Sequence, residues 1–335
     1  MAPMSSLLTR PWVVLALLVA VGCAGSSGPP APDVLGPFAS RQDFLHRLEP
    51  HGNRVLHGAG ANPQDFADYW DELERTPPLL YATHLDLMTL REDWPAYVGL
   101  AVNRFPSVVL PQLAVSMTYN GRPYEVDVAL GRLDRQIEIL CAGLAALQRP
   151  AFVRLGYGFN SPTTGYRPEP YRQAWVRVAE SIRVRHGLRQ VAMVWGAAAD
   201  APMAGAMDFY PGDSWVDWWG IDVFDPSGMV SDGTVTFLEA ARERGYPVMV
   251  GEATPRGLTV ETGSHAWERW FVPFFRFVHR HPNIKAFCYI NWRSGEARIS
   301  SDLDLLPRYV DELSRDEYLN SAASDDLRWS LQIDE

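Results

Sequence analysis

The sequence has no cluster of Lys and Arg, no Cys/His group at metal-ligand spacing, no phosphate-cradling glycine loop and no GxGxxG turn after its first predicted strand. Charge runs the other way, with 40 acidic against 30 basic side chains, so a nucleic acid is not an expected partner. Without metal-spaced ligands or a phosphate loop, no metal and no cofactor is expected. Long apolar runs are scarce as well. Trp12 to Val21 follows Arg10 and is too short to span a bilayer as a stable anchor, so residues 1–22 read as an export signal.

Small residues then precede a cysteine in Ala20-Val21-Gly22-Cys23, which resembles a bacterial lipoprotein box. Cys23 would be lipidated after cleavage, giving a membrane anchor at the cell envelope. Ordinary cleavage near Ala24, with secretion, is the alternative. Residues 23–38 read as a flexible tether, 39–320 as the folded domain and 321–335 as a tail; a monomer is expected. The other two cysteines, Cys141 and Cys288, sit in apolar surroundings and read as buried small hydrophobes, with no pairing derivable from spacing.

What the chain does have is short, β-branched apolar runs alternating with helical patterns. Strands are predicted at 54–60, 79–83, 110–117, 152–155, 191–195, 216–223, 247–251 and 286–291. Helices are predicted at 41–48, 64–75, 128–147, 170–186, 234–244, 267–279 and 305–313. Eight such units in one domain point to an α/β protein of the (β/α)8 TIM-barrel class, whose chemistry sits at the carboxyl ends of the strands.

The chemistry-bearing residues fall at those ends. Pro247-Val-Met-Val-Gly-Glu-Ala-Thr-Pro-Arg-Gly257 is a buried strand that delivers one acid, Glu252. Val153-Arg-Leu-Gly-Tyr-Gly-Phe-Asn160 ends the fourth strand, and Asp208-Phe-Tyr-Pro-Gly-Asp-Ser-Trp-Val-Asp-Trp-Trp-Gly-Ile-Asp-Val-Phe224 runs into the sixth. Arg154, buried, must pair with an acid. Asp222 is either that partner or a sugar ligand. Asn160 bonds a sugar hydroxyl or caps its loop. His57, at the end of strand one, faces the site or is a satisfied structural histidine. Trp292, ending strand eight, offers a face for stacking on sugar. Trp215, Trp218 and Trp219 cannot all point inward, because alternation splits neighbours between faces. Asp213, in a Pro-Gly-Asp turn, reads as structural, and Arg298 as a brace for the last loop.

These stretches, with Tyr289-Ile-Asn-Trp292 and Ala297-Arg-Ile299, resemble glycoside hydrolase family 26, the β-mannanase family among the retaining barrel glycosidases. The resemblance runs from about Leu56 to Leu313. It implies a β-linked polysaccharide of mannan type or a related glycan as substrate, Glu252 as nucleophile, and Tyr157 and Tyr210 among the sugar-binding residues. It also exposes a departure. The family's general acid/base glutamate falls four residues after Arg154, where this chain has Gly158. A retaining glycosidase needs two carboxylates about 5–5.5 Å apart, and glycine can neither give nor take a proton. Tyr157 stands where the family often has His, and Phe224 where it has a supporting Tyr. Glu169 is the nearest stand-in by position, though an exposed acid opening a helix is its simpler reading. Two expectations follow: a glycosidase with a missing or substituted acid/base, or a degenerate relative that binds glycan without cleaving it. Retention of Glu252 at a strand end favours the enzyme.

Overall fold

The computed structural model describes residues 46–60, 62–256, 264–291, 298–301, 304–321 and 331. Eight parallel strands close on themselves: β1 (Val55–Gly60), β2 (Leu80–Asp86), β3 (Leu110–Ser116), β4 (Ala151–Leu155), β5 (Val191–Ala198), β6 (Trp218–Val223), β7 (Val248–Ala253) and β8 (Ile284–Ile290). Each pairs with its neighbour in sequence, and β8 pairs back onto β1 through Leu56↔Ala286 to Gly60↔Ile290, so no free barrel edge remains. A short strand, Tyr318–Leu319, adds to the start of β1. The closed barrel and its strand positions are those the apolar runs predict.

Alternation along each strand makes two cores. Leu56, Leu80, Ala82, Leu110, Phe152, Ala192, Val194, Trp218, Met249, Ala286 and Cys288 fill the barrel interior. Their neighbours pack outward under the helices: Ala59, Tyr81, Leu113, Val153, Trp195, Trp219 and Phe287. Trp218 therefore points in, edge-on to Phe152, while Trp219 points out against Trp195 and Phe237. Both remaining described cysteines are buried and free, Cys141 in the outer layer and Cys288 inside the barrel.

Around the strands lie α1 (Pro63–Glu72), α2 (Trp94–Val102), α3 (Glu125–Ala129), α4 (Asp134–Ala146), α5 (Pro168–Glu180), α6 (Asp232–Glu243), α7 (Val272–Arg280) and α8 (Leu305–Leu313). The start of α1 is set by Asn62, whose side chain accepts from the N–H groups of Gln64 and Asp65, with Pro63 at the first helical position. The structure differs from expectation in three helices. The predicted helix 128–147 is two, broken at Gly131; α4 restarts at Asp134, which Arg177 of α5 grips through two bonds of 2.6 Å. α2 was not anticipated, because its residues are apolar on nearly every side and carry no amphipathic period. Of the helix predicted at 41–48, only residues 46–48 are described, and Arg47–Leu48 form a turn.

Candidate active site

At the carboxyl ends of the strands the barrel narrows onto one buried cation. Arg154 of β4 is fully buried, and its guanidinium donates to Asp222 of β6 and, at 3.2 Å, to Oε1 of Glu252 of β7. The same carboxylate oxygen accepts from Nε2 of His84, at 2.9 Å, from the end of β2. A lone buried carboxylate would be costly; here two share one guanidinium and one also takes an imidazole N–H.

Glu252 reaches this cluster through an irregularity in β7. Met249 faces inward and Val250 outward, so plain alternation would send residue 252 outward with Val250. Between β6 and β7 the register steps from Ile221↔Val250 to Asp222↔Glu252, giving β7 one residue more than its partner. That bulge turns Glu252 inward beside Asp222.

The environment separates the two acids. Burial by itself raises the proton affinity of Glu252, but the His84 hydrogen bond and the Arg154 charge outweigh it and hold the carboxyl well below its ordinary range. Asp222 goes the other way: burial raises it, the Glu252 charge adds to that, and Arg154 compensates only in part. The pair takes up its protons in two steps, with Glu252 the group that stays ionised.

Tyr157 follows β4, its ring centre 5.1 Å from the Arg154 guanidinium carbon and 5.7 Å from the His84 ring. Burial, and then the nearby Glu252 charge, push its phenol up, so it stays protonated at neutral pH. Gly158 comes next, with φ +60° and its N–H bonded to Gly196 O at 2.8 Å. A Cβ built there would meet only the Ala198 Cβ, at 4.0 Å, so the position opens onto space. Glu169 offers no replacement: it is mostly exposed at the start of α5 and is held by Arg172 and Gln173 of the same helix.

Of the residues singled out in the sequence, Arg154, Tyr157, Gly158, Asp222 and Glu252 come together. Three others do not join them. His57 points into the outer layer, where Nε2 meets the Tyr69 hydroxyl at 2.8 Å and Nδ1 meets Asn320 Oδ1 at 3.0 Å; burial pulls its pKa down to about 3. Tyr210 packs against Trp195 and Trp219 and donates its hydroxyl to Asp213. Asn160 takes the loop-capping alternative, because its Oδ1 accepts from Ala198 N–H at 2.8 Å and its Nδ2 donates to Ala198 O at 2.9 Å. Asn160→Ala should therefore cost about 1–3 kcal/mol by leaving a strand-end N–H without its partner. Urea denaturation measures this, and an unchanged midpoint would show that β5 ends without Asn160. Arg298 does brace its loop, pairing with Asp68 and Glu72 of α1. Trp292 and Cys23 lie outside the described residues.

His84 was not singled out in the sequence. Its signal was the inward parity of Leu80 and Ala82, carried one residue beyond the point where the strand was expected to stop.

Fold and site together define a glycoside-hydrolase-like (β/α)8 barrel. The family it resembles is glycoside hydrolase family 26: the model of "Glycosyl hydrolase family 26" matches residues 142–259, a stretch that holds Arg154, Gly158, Asp222 and Glu252. Among curated proteins, a β-1,3-xylanase of Alcaligenes sp. is 24% identical over 311 residues, covering 80% of this chain and 65% of that protein. The β-1,3-xylanase TXYA of Vibrio sp. is 26% identical over 264 residues, covering 71% of this chain and 56% of its own length. The chain thus spans less than two thirds of either relative. Among solved structures, Bacillus subtilis mannanase BCman superimposes with a TM-score of 0.62 at 19% identity, covering 81% of this chain and 88% of that one. The YdhT protein of Bacillus subtilis gives 0.63 at 18% identity, with 85% and 94% covered. At such identities these two structures speak for the fold.

Proposed function

We propose that this chain acts on a β-linked polysaccharide, of mannan type or a related glycan such as β-xylan, with Glu252 as nucleophile and without a carboxylic proton donor at position 158. One observation carries the reading. Glu252 is turned into the barrel by a bulge and kept ionised between His84 and Arg154, which is the state an attacking carboxylate needs. The family resemblance and the xylanase relatives support the substrate class. Export, with anchoring through a lipidated Cys23, belongs to the same proposal.

The test is covalent capture. An activated 2-fluoro glycoside needs no protonation of its leaving group, so it should label Glu252 stoichiometrically, detected as a mass increase on the peptide containing residue 252. Glu252→Gln should show no label and no turnover of aryl glycosides, while unfolding as the wild type does. Wild-type protein that remains unlabelled by such reagents would remove Glu252 as nucleophile. A second reading, a glycan-binding barrel without turnover, is favoured by Gly158 alone. It would be supported by oligosaccharide binding in a calorimeter with no hydrolysis of any substrate.

A further inference from the structure

Beneath the carboxylates lies a polar side chain that the glycosidase reading does not use. Gln112, on β3, is fully buried inside the barrel. One atom of its amide lies 2.9 Å from Arg154 Nη1 and 3.3 Å from Arg154 Nε. A guanidinium offers only donors, so that atom is the amide oxygen. The opposite orientation would aim an NH2 group at two donors in return for a single 3.5 Å contact with Gly251 O. We propose that Gln112 is a positioning residue: its side-chain oxygen holds the Arg154 guanidinium in the one orientation that serves Asp222 and Glu252 together.

The geometry leaves Arg154 few other supports. Nη2 is directed to Asp222, Nη1 to Glu252 and Gln112, and Nε to Gln112. On the β7 side the guanidinium lies against the backbone of Gly251, where a Cβ would sit 2.3 Å from Cζ. The fork is thus wedged between a bare backbone on β7 and a neutral acceptor on β3. Neutrality is the point. One guanidinium already serves two carboxylates, so a third negative charge at residue 112 would compete with Glu252 for it, whereas an amide oxygen orients the fork and leaves its charge to the acids. The groups facing this cluster are His84 from β2, Tyr157 beyond β4, Asp222 from β6 and Cys288 from β8, while the contact to Nε is that of Gln112.

Two variants test the idea, with one readout that depends on the proposed chemistry and one that does not. Gln112→Met fills the same space without an acceptor. The Arg154 Nε–H resonance, identified by its absence in Arg154→Lys, should exchange slowly with solvent in the wild type and at least about tenfold faster in Gln112→Met. Gln112→Glu keeps the volume and places a carboxyl against Arg154. When that acid is protonated its carbonyl oxygen can replace the amide, so labelling of Glu252 by the activated 2-fluoro glycoside should approach the wild-type rate near pH 5. As the acid ionises, labelling should fall toward pH 8 by about tenfold more than in the wild type, where Asp222 is the acid of this cluster that titrates.

Equal Nε–H exchange in wild type and Gln112→Met, or a Gln112→Glu profile parallel to the wild type, would overturn the proposal. This inference rests on Glu252 being the working carboxylate only in its labelling arm. Faster Nε–H exchange in Gln112→Met, with no labelling of any protein, would sink the nucleophile and leave Gln112 as the residue that sets Arg154. Should Gln112→Met fail to fold, the Gln112→Glu profile decides alone.

Discussion

Gly158→Glu should raise turnover of unactivated β-linked polysaccharide by about 10²–10⁴-fold, the usual worth of general acid/base assistance. The geometry permits the side chain. A Cβ at position 158 would have Ala198 Cβ as its nearest neighbour, at 4.0 Å, and the residue lies next to Tyr157, beside the Arg154–Glu252 pair. The cost is in the backbone: φ is +60°, and a residue with a side chain in that region gives up roughly 1–2 kcal/mol. The Gly158 N–H bond to Gly196 O resists relaxation of the turn, so the gain should fall toward the lower end of the range. Wild-type protein should show the complementary behaviour. Aryl glycosides with good leaving groups should react faster than polysaccharide, and azide should speed them by intercepting the glycosyl intermediate, which no base-activated water attacks. Initial rates on both substrates, with and without azide, decide the matter. Efficient wild-type cleavage of polysaccharide, indifferent to azide, would mean that another group supplies the proton.

The largest stability loss is expected from Arg154→Met. The side chain removed is fully buried between two carboxylates, and stripping the cation from a buried cluster costs roughly 3–5 kcal/mol because the opposite charges stay behind. Its pH signature distinguishes this from a packing defect. In the wild type Glu252 is held below its ordinary value of 4.5, so its contribution is fully present above that value and is lost as pH falls below it. Asp222 is raised above its ordinary 3.8, so its contribution works in reverse, declining as pH rises through the folded value. Without Arg154 both acids prefer the proton. The variant should therefore lose stability steadily between pH 5 and pH 8, and a second change, Asp222→Asn, should recover part of the loss. Guanidinium denaturation across that interval measures it, and a loss under about 1 kcal/mol, flat with pH, would show that the carboxylates are neutralised by other means.

Much of this is legible in the sequence. Parallel barrel strands are covered on both faces and so read as unbroken apolar runs, which placed Arg154, Asp222 and Glu252 at the same end of the barrel. What escaped was parity. Leu56 faces inward, so His57 had to face the helices, and that count would have placed it in the outer layer, where Tyr69 and Asn320 meet it. The same count, carried along β2 and β3, would have brought His84 and Gln112 inward. Tyr210 and Asn160 were beyond local counting, because their partners, Trp219 and Ala198, come from other segments of the fold. A resemblance across whole motifs carried these residues along with the reactive ones, since alignment does not separate a group that touches substrate from one that shapes its loop.

The extra residue in β7 stores the position of the carboxylate as a count. Flat alternation through Met249 and Val250 would deliver residue 252 to the apolar layer; the bulge resets the phase one residue before the strand ends. The segment is therefore constrained twice: Gly251 admits no side chain against Arg154, and the facing of the acid depends on the extra residue. Were β7 to run flat from Val250 to Ala253 with no residue lost, the acid would face the apolar layer and not the Arg154 cation, exchanging a working charge for a stranded one.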